Sequence, residues 1–279
     1  LENRTAKKPI VLLWMLRILV PLGCHRSFIE NDGFENYSIA VKIGLGHLID
    51  PEQFSAPDYL PLRKKSGKPK RSNAQFNSSA ALTDLRLIHE RVEELHSDAK
   101  VPEVLSANVM RLSRLVGLSE VDCRIIEFAV MIKIDHLLDT VGDLLGRVTT
   151  NELYRYLANI LDIDVSDVQK SLSEKGALAR SGLVSLDRGD YNSLSGKLDL
   201  LSNVFADLMM SQAIEPFELL KGIVAPAGPG TLNLSDYSHI QPTIDALVPY
   251  LRTAIKHKRT GVNVFVYGPP GTGKSELAR

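Results

Sequence analysis

The chain of 279 residues has 33 basic and 33 acidic residues, so its formal net charge is zero, and 44% of its residues are hydrophobic. This balance excludes a protein-wide basic field for nucleic acid, and the composition is that of an ordinary globular protein with room for two or three domains. Cys24 and Cys123 are too few for a disulfide framework. We expect both to be buried, unreactive thiols in a reducing compartment.

An apolar run, residues 10–22, follows basic residues near the start of the chain. It is similar to a secretory signal, but Arg17 interrupts it. It is also too short to span a bilayer, which takes about 20 apolar residues. We therefore predict a buried helix over residues 9–23 and no membrane segment.

Residues 61–80 differ in composition from their surroundings. Between Pro61 and Ser79 there are six basic residues and no acidic one, set among Pro, Ser, Gly and Asn. This predicts a solvated linker, with a contact to nucleic acid or to an acidic partner as the alternative. The linker would divide an N-terminal helical segment, residues 1–60, from a helical domain, residues 81–222.

Apolar residues at helical spacing predict several helices after the linker. One is predicted to end near Gly117, and Ser119 with Asp122 has the spacing of a cap for the next, which runs through Lys133. A further helix is predicted over Ile134–Leu145. The expected role of these helices is to form a core.

Residues 149–190 are predicted to run as helix, short turn, helix, strand and turn. Two polar pairs have the spacing of helix caps, Thr149 with Glu152 and Ser166 with Gln169. The strand is predicted over Gly182–Asp187, and the turn over Arg188–Asp190. This is the order of a winged helix, so we predict a winged-helix-like module over about residues 119–190.

The charges of this stretch favour a protein-interaction or structural role over DNA binding. From Thr150 to Asp190 five basic residues face seven acidic ones. Phosphate neutralisation supplies most non-specific DNA affinity, so a net acidic module is a poor DNA binder. A further helix is predicted over Leu198–Met210. Residues 225–230 then interrupt the helical pattern with Pro and Gly, and a nucleotide domain is predicted over residues 223–279.

The most specific motif lies at the end of the chain. Residues 268–275, Gly-Pro-Pro-Gly-Thr-Gly-Lys-Ser, fit the G-x-x-x-x-G-K-[ST] pattern of a phosphate-binding P-loop. The apolar run Val262–Tyr267 predicts the buried parallel strand that precedes such a loop. Side chains at Gly271 and Gly273 would obstruct the approach of backbone N–H groups to a phosphate.

Two side chains complete the predicted phosphate site. Lys274 would supply a positive charge for the β- and γ-phosphates, and the hydroxyl of Ser275 is placed to ligate Mg²⁺. The helix that starts near Gly273 would point the positive end of its dipole at the same anion. The predicted cofactors are therefore ATP and Mg²⁺.

The segment Val266–Ser275 resembles the first nucleotide motif of AAA+ ATPases, and the resemblance extends over residues 233–279. Residues 236–240 occupy the place of an Asp-x-Gly-Gly-Leu segment whose backbone touches adenine in that family, with Ser238 and His239 at the two glycine positions. The intervening helix is predicted from an apolar face formed by Ile244, Leu247, Val248, Leu251 and Ile255. The N-terminal layout is similar to that of bacterial AAA+ ATPases with a helical, winged-helix-containing region.

Together these patterns predict a mainly α protein followed by the first strand and P-loop of a truncated α/β NTPase domain. The predicted nucleotide-binding residues are Gly268, Pro269, Pro270, Gly271, Thr272, Gly273, Lys274, Ser275, Glu276, Asp236 and Tyr237, with Lys274 catalytic and Ser275 the metal ligand.

The resemblance implies a cytoplasmic ATPase that forms a homo-oligomeric ring and remodels a protein partner held by its N-terminal region. In that family a strand ending in acidic residues follows the P-loop, and the chain ends at Arg279, so we expect this fragment alone to be inactive. Two alternatives stay open: a DNA-associated ATPase that uses the winged helix and basic linker, and a nucleotide-independent scaffold.

Overall fold

The computed structural model describes residues 9–50, 53–55, 57, 60, 76–189, 192–202, 204–211, 230–259 and 261–278. The protein is mainly helical, with 62% helix and 4% strand, which confirms the predicted mainly α class. The chain forms two compact units, Leu1–Leu219 and Leu220–Arg279. Among the described residues, no helix has the length and apolarity needed to cross a membrane. Most of the predicted linker, residues 61–75, and most of the predicted break at 225–230 lie outside the described residues.

The first unit consists of helices joined by turns and one hairpin. Its helices are α1 (Pro9–Leu19), α2 (His25–Phe28), α3 (Tyr37–Ile43), α4 (Ser78–His96), α5 (Glu103–Val116), α6 (Glu120–Ile134), α7 (His136–Asp143), α8 (Thr150–Leu161), α9 (Val165–Ser171), α10 (Ala177–Ser181), α11 (Leu194–Lys197) and α12 (Phe205–Met210), with a 3-10 turn over Gly46–Leu48. The strands β1 (Val184–Leu186) and β2 (Leu198–Leu200) pair antiparallel.

Helix α1 lies inside the core of the first unit because all of its residues except Arg17 are apolar. Nine of its eleven residues are buried, and it packs against α3, α4, α7 and α8. A helix without a polar face is stable only inside a core. Residues from the predicted N-terminal segment and from the predicted helical domain therefore share one core, and the basic stretch does not separate two of them. The helix predicted over residues 9–23 ends at Leu19.

Local capping signals set several helix boundaries. Ser119 and Asp122 form the predicted capping box at the start of α6, and Gly117 ends α5 in the left-handed conformation at φ +73°. The helix predicted over Ile134–Leu145 is shorter, because the side chain of Asp135 accepts from the N–H of Leu138 and starts α7 at His136.

The stretch after α7 contains one confirmed cap and two corrections. Thr149 and Glu152 form the predicted capping box of α8. The predicted cap at Ser166 is wrong, because α9 begins at Val165 after Asp164. The predicted helix over Leu198–Met210 is also wrong at its start, because residues 198–200 form β2 opposite β1 and only Phe205–Met210 are helical. Leu198 is buried while Asp199 is exposed, as expected for a strand, in which successive side chains point to opposite faces.

The described part of the second unit has three helical elements. A 3-10 helix covers Leu234–Ile240, α13 runs over Gln241–Lys256, and α14 runs over Lys274–Leu277. Of the predicted apolar face of α13, Ile244 is buried, whereas Ile255 is 77% exposed and its neighbour Ala254 is buried instead. Between α13 and α14 lie the apolar run 262–267 and the predicted P-loop.

Candidate functional site

The predicted P-loop is a sharply curled segment whose curvature depends on glycine. Gly268, Gly271 and Gly273 have φ angles of +148°, +80° and +77°. Residues with a side chain rarely adopt these φ values, so glycine at these three positions lets the loop turn without strain. Lys274 follows directly as the first residue of α14.

The two glycines predicted to clear a path for phosphate have different surroundings. A Cβ atom at Gly271 would meet nothing within 4 Å, so the backbone angle alone requires glycine there. A Cβ atom at Gly273 would lie 3.2 Å from the hydroxyl oxygen of Tyr237 and 3.3 Å from its ring. Tyr237 therefore packs directly against the loop at Gly273.

The ammonium group of Lys274 folds back over the loop. Its Nζ donates to the carbonyl oxygens of Gly268 at 3.0 Å and Pro269 at 2.6 Å, and it lies 3.3 Å from the hydroxyl of Thr272. The Thr272 hydroxyl itself donates to the Pro269 carbonyl at 2.9 Å. Within the described residues no carboxylate forms an ion pair with Lys274. Its positive charge is therefore held at the loop without a neutralising partner there.

The backbone donors of the loop are free of partners from the rest of the described chain. No N–H group from Gly271 to Ser275 donates to an acceptor within that part of the chain. Within α14, the N–H of Leu277 donates to the Gly273 carbonyl at 2.9 Å. The five successive donors from Gly271 to Ser275 thus belong to the same motif that carries the ammonium group.

Ser275 and Glu276 differ in whether their side chains are available to bind a ligand. Ser275 is exposed, and its hydroxyl forms no hydrogen bond with any described residue. One carboxylate oxygen of Glu276 accepts from the N–H of Thr231 at 2.8 Å and from its hydroxyl at 3.1 Å. Sequence reasoning missed Thr231, and Glu276 serves in this structure as an anchor for the segment around it.

Asp236 and Tyr237 belong to the predicted adenine-side segment, residues 236–240. Asp236 forms a hydrogen bond at the start of its own 3-10 helix, and Tyr237 forms one with the loop. The Asp236 carboxylate accepts from the N–H of Asn233 at 2.7 Å, at the start of the 3-10 helix. The Tyr237 hydroxyl donates to the Gly273 carbonyl at 2.9 Å. Desolvation raises the pKa of Tyr237, and the carboxylates of Glu276 and Asp236 raise it further, so the phenol stays protonated as a donor at neutral pH.

The strand predicted before the loop is not formed in the described structure. None of residues 262–267 pairs with another described strand, and Phe265 and Tyr267 are 86% and 83% exposed. Their rings stack on each other at a centroid distance of 6.2 Å. A buried parallel strand needs neighbours that cover both of its faces, and the only sheet of the described residues is the β1–β2 hairpin. The prediction of a buried strand is therefore not met.

Several basic groups near the hairpin of the first unit are already paired. Arg188 lies 3.1 Å from Glu174, and Lys170 lies 2.9 Å from Asp167. Lys197 is fully buried, and its ammonium donates to the carbonyls of Asp187 and Gly189 inside the turn. Lys170 is paired within α9, Arg188 is paired at the surface and Lys197 is held inside the turn, so each of these three charges already has a partner. Asp190, in the predicted wing turn, lies outside the described residues.

A cleft of about 560 Å³ in the first unit is lined by residues of both charge signs. Arg17 and Arg124 line it, but each already donates to a main-chain carbonyl, of Ile160 and Leu161 respectively. Burial raises the pKa of the Glu127 carboxyl group, with Arg124 opposing that shift. The cleft has a mixed lining and does not select one class of ligand.

Neither cysteine has a group of metal ligands around it in the part of the chain that the structure describes. Both thiols are free, and among the described residues no group of three or more His, Cys, Asp or Glu side chains could hold a metal ion. Burial raises the pKa of Cys24 to about 11. Cys123 is only partly buried, which corrects the expectation that both are enclosed, and its pKa is also raised, chiefly by burial.

No protein-family model matches the chain, and no curated protein or solved structure is significantly similar to it. The loop geometry and the side-chain contacts around it are therefore the basis for assigning a function.

Proposed function

We propose that the second unit binds the phosphate chain of a nucleoside triphosphate at residues 268–275. The observation that carries this proposal is the combination of five free backbone N–H groups, Gly271 to Ser275, with the ammonium of Lys274. Successive N–H groups on a backbone that alternates into the left-handed region form an anion-binding concavity. An anion with several oxygen acceptors would satisfy these donors together.

The lysine contacts suggest how a phosphate would be held. In this structure the Lys274 ammonium is bonded to two carbonyl oxygens and lies beside the Thr272 hydroxyl, all neutral acceptors. A phosphate oxygen carries negative charge, so its hydrogen bond with the ammonium joins two opposite charges, which the neutral carbonyl oxygens cannot do. We expect the ammonium to exchange part of its loop contacts for phosphate contacts when the ligand binds.

The residues present also fit Mg²⁺ bound together with the phosphates. Mg²⁺ is usually held by few protein oxygens, by substrate phosphates and by water, and the exposed Ser275 hydroxyl is one such oxygen. When bound, the ion would neutralise phosphate charge. Glu276 is engaged with Thr231, so Ser275 is the side chain of the motif that we assign to the metal.

The wider proposal is an AAA+ ATPase that acts on a protein partner. Its support is the motif at Val266–Ser275 and the position of Tyr237 against it. A protein partner is favoured over DNA because Arg188 and Lys170 are paired with carboxylates and Lys197 is buried. For such an ATPase we expect ATP turnover that depends on Lys274.

The direct test is titration of the chain with Mg-ATP and with tripolyphosphate by isothermal calorimetry, using Lys274→Ala. Loss of a charge-assisted hydrogen bond costs about 1.5–3 kcal/mol, so affinity should fall by about tenfold or more for both ligands. Lys256→Ala is the matched control, because Lys256 is an exposed lysine at the end of α13. Equal affinity of the wild type and Lys274→Ala would overturn the assignment.

A further inference from the structure

We infer that Tyr237 is a positioning residue for the phosphate loop, acting on the peptide that joins Gly273 to Lys274. This inference rests on the proposed phosphate binding at residues 268–275. The hydroxyl of Tyr237 donates to the Gly273 carbonyl at 2.9 Å, across 36 residues of sequence. It is a side-chain contact from outside the motif to the backbone of the loop.

The contact fixes the direction of one of the free donors. The Gly273 carbonyl accepts from two groups, the Tyr237 hydroxyl and the N–H of Leu277, each at 2.9 Å. A trans peptide is planar, and its C=O and N–H point in opposite directions. Holding the Gly273 carbonyl towards Tyr237 therefore turns the Lys274 N–H away from Tyr237, where it meets no acceptor in the described chain.

The ring of Tyr237 restrains the same place by packing. A Cβ atom placed on Gly273 would lie 3.2 Å from the phenol oxygen and 3.3 Å from a ring carbon. The backbone of Gly273 therefore packs directly against the Tyr237 ring. The side chain is only 4% exposed. Gly273 needs its left-handed φ of +77° and cannot move towards the ring, which limits rotation of the peptide.

A second anchor keeps the tyrosine in place. The Glu276 carboxylate in α14 accepts two hydrogen bonds from Thr231, at 2.8 and 3.1 Å. Asp236 accepts from the N–H of Asn233 at 2.7 Å and starts the 3-10 helix that carries Tyr237. The segment 231–237 is therefore attached at one end to Glu276 in α14 and at the other end to Gly273 in the loop.

The sequence resemblance implies an adenine contact by the backbone of residues 236–240, whereas the role inferred here belongs to the side chain of Tyr237. A side chain that is 4% exposed offers little ring surface to an adenine, and its hydroxyl is already used by the loop. Tyr237 would act on the loop backbone that binds the phosphates, so its effect on binding should not depend on the base of the nucleotide. Tripolyphosphate, which has no base, separates these two roles.

The test is Tyr237→Phe, which removes the hydroxyl and keeps the ring against Gly273. We expect tripolyphosphate and Mg-ATP to bind about fivefold more weakly to this variant, by the same factor for both, as for loss of one neutral hydrogen bond. The matched control is Tyr250→Phe, because Tyr250 is 50% exposed on α13. The ligand-free amide resonance of Lys274 should also shift in Tyr237→Phe and stay unchanged in Tyr250→Phe.

The outcomes separate this inference from the proposal beneath it. If the wild type does not bind tripolyphosphate, phosphate binding itself is wrong. If the wild type binds and Lys274→Ala does not, but Tyr237→Phe binds both ligands as the wild type does, only the role of Tyr237 is overturned. Weaker Mg-ATP binding with unchanged tripolyphosphate binding would instead place Tyr237 at the nucleoside and would also overturn it.

Discussion

The two units differ in what holds their residues in place. In the first unit one continuous core takes side chains from α1 through α12, with Phe28, Phe128 and Phe205 fully buried. In the described part of the second unit, the buried side chains are Tyr237, Ile244 and Ala254. The first unit owes its structure to apolar burial, the dominant favourable term in folding.

The candidate site is in the unit with the smaller core. Its shape depends on three glycines with positive φ, on the Tyr237 contact with Gly273 and on the Glu276 contact with Thr231. Such features fix a few backbone directions and bury little apolar area. Substitutions in the first unit should therefore change stability, whereas substitutions in the loop should change ligand binding and leave the first unit intact.

The largest expected effect is on the first unit. Phe128 is fully buried on α6, and its ring packs edge-to-face on Trp14 with centroids 5.2 Å apart. Phe128→Ala should lower the free energy of unfolding by about 3–5 kcal/mol through lost burial and a cavity. Trp14 is the single tryptophan of the chain, so its fluorescence during urea titration reports this unit.

The matched control is Phe265→Ala, because Phe265 is 86% exposed in the second unit. It should shift the Trp14 transition by less than about 0.5 kcal/mol. A comparable loss in both variants would contradict the contrast between the two units.

A buried ion pair should give the next largest effect. Arg17 is 7% exposed, and its guanidinium donates to Glu93 at 2.7 and 2.9 Å and to the Ile160 carbonyl at 2.8 Å. Arg17→Met leaves both acceptors without this donor. Breaking a fully buried pair costs about 3–5 kcal/mol, and the 30% exposure of the Glu93 side chain reduces this to about 2 kcal/mol.

Arg91→Met is the control for Arg17→Met, since the exposed Arg91–Glu94 pair at 2.6 Å should contribute less than about 1 kcal/mol.

The Arg17–Glu93 pair also predicts that stability depends on pH. Hydrogen bonding to Arg17 lowers the pKa of Glu93 below 4.5, so the stabilisation is present above pH 4.5 and is lost as pH falls through the lower folded-state pKa. The wild type and Arg17→Met should therefore converge in stability in acid, and a constant difference would contradict this.

Sequence patterns predicted those parts of the fold that are set within a few residues. The capping pairs at Ser119 and Thr149 and the helix end at Gly117 depend on local contacts, and all three are present. The predicted helix over Leu198–Met210 failed because β2 depends on β1, which lies about a dozen residues earlier in the chain. Leu95 and Leu115 belong to the apolar spacing that predicts α4 and α5, but they lie near the ends of these helices and are 53% and 59% exposed.

The same distinction applies to the candidate site. The glycines, Lys274 and Ser275 were predictable because one short motif contains them, and all three glycines of the motif have a positive φ. The contact of Tyr237 with Gly273 was not predictable, because it joins residues distant in sequence through a backbone carbonyl that any residue would supply. The predicted buried strand Val262–Tyr267 was inferred from apolarity alone, which identifies an apolar surface but not the strands that would cover it.

The smallest expected effect compares two helix starts within the first unit. The Ser119 hydroxyl accepts from the Asp122 N–H at 3.1 Å, while α9 begins after Asp164 without a side-chain cap bond. Ser119→Ala should therefore lower the free energy of unfolding by about 1 kcal/mol, and Asp164→Ala by less than about 0.5 kcal/mol. Urea titration followed by Trp14 fluorescence measures both. Because neither residue lies in the second unit, both variants should bind tripolyphosphate as the wild type does, and weaker binding in Ser119→Ala would show that stability of the first unit and ligand binding in the second are coupled.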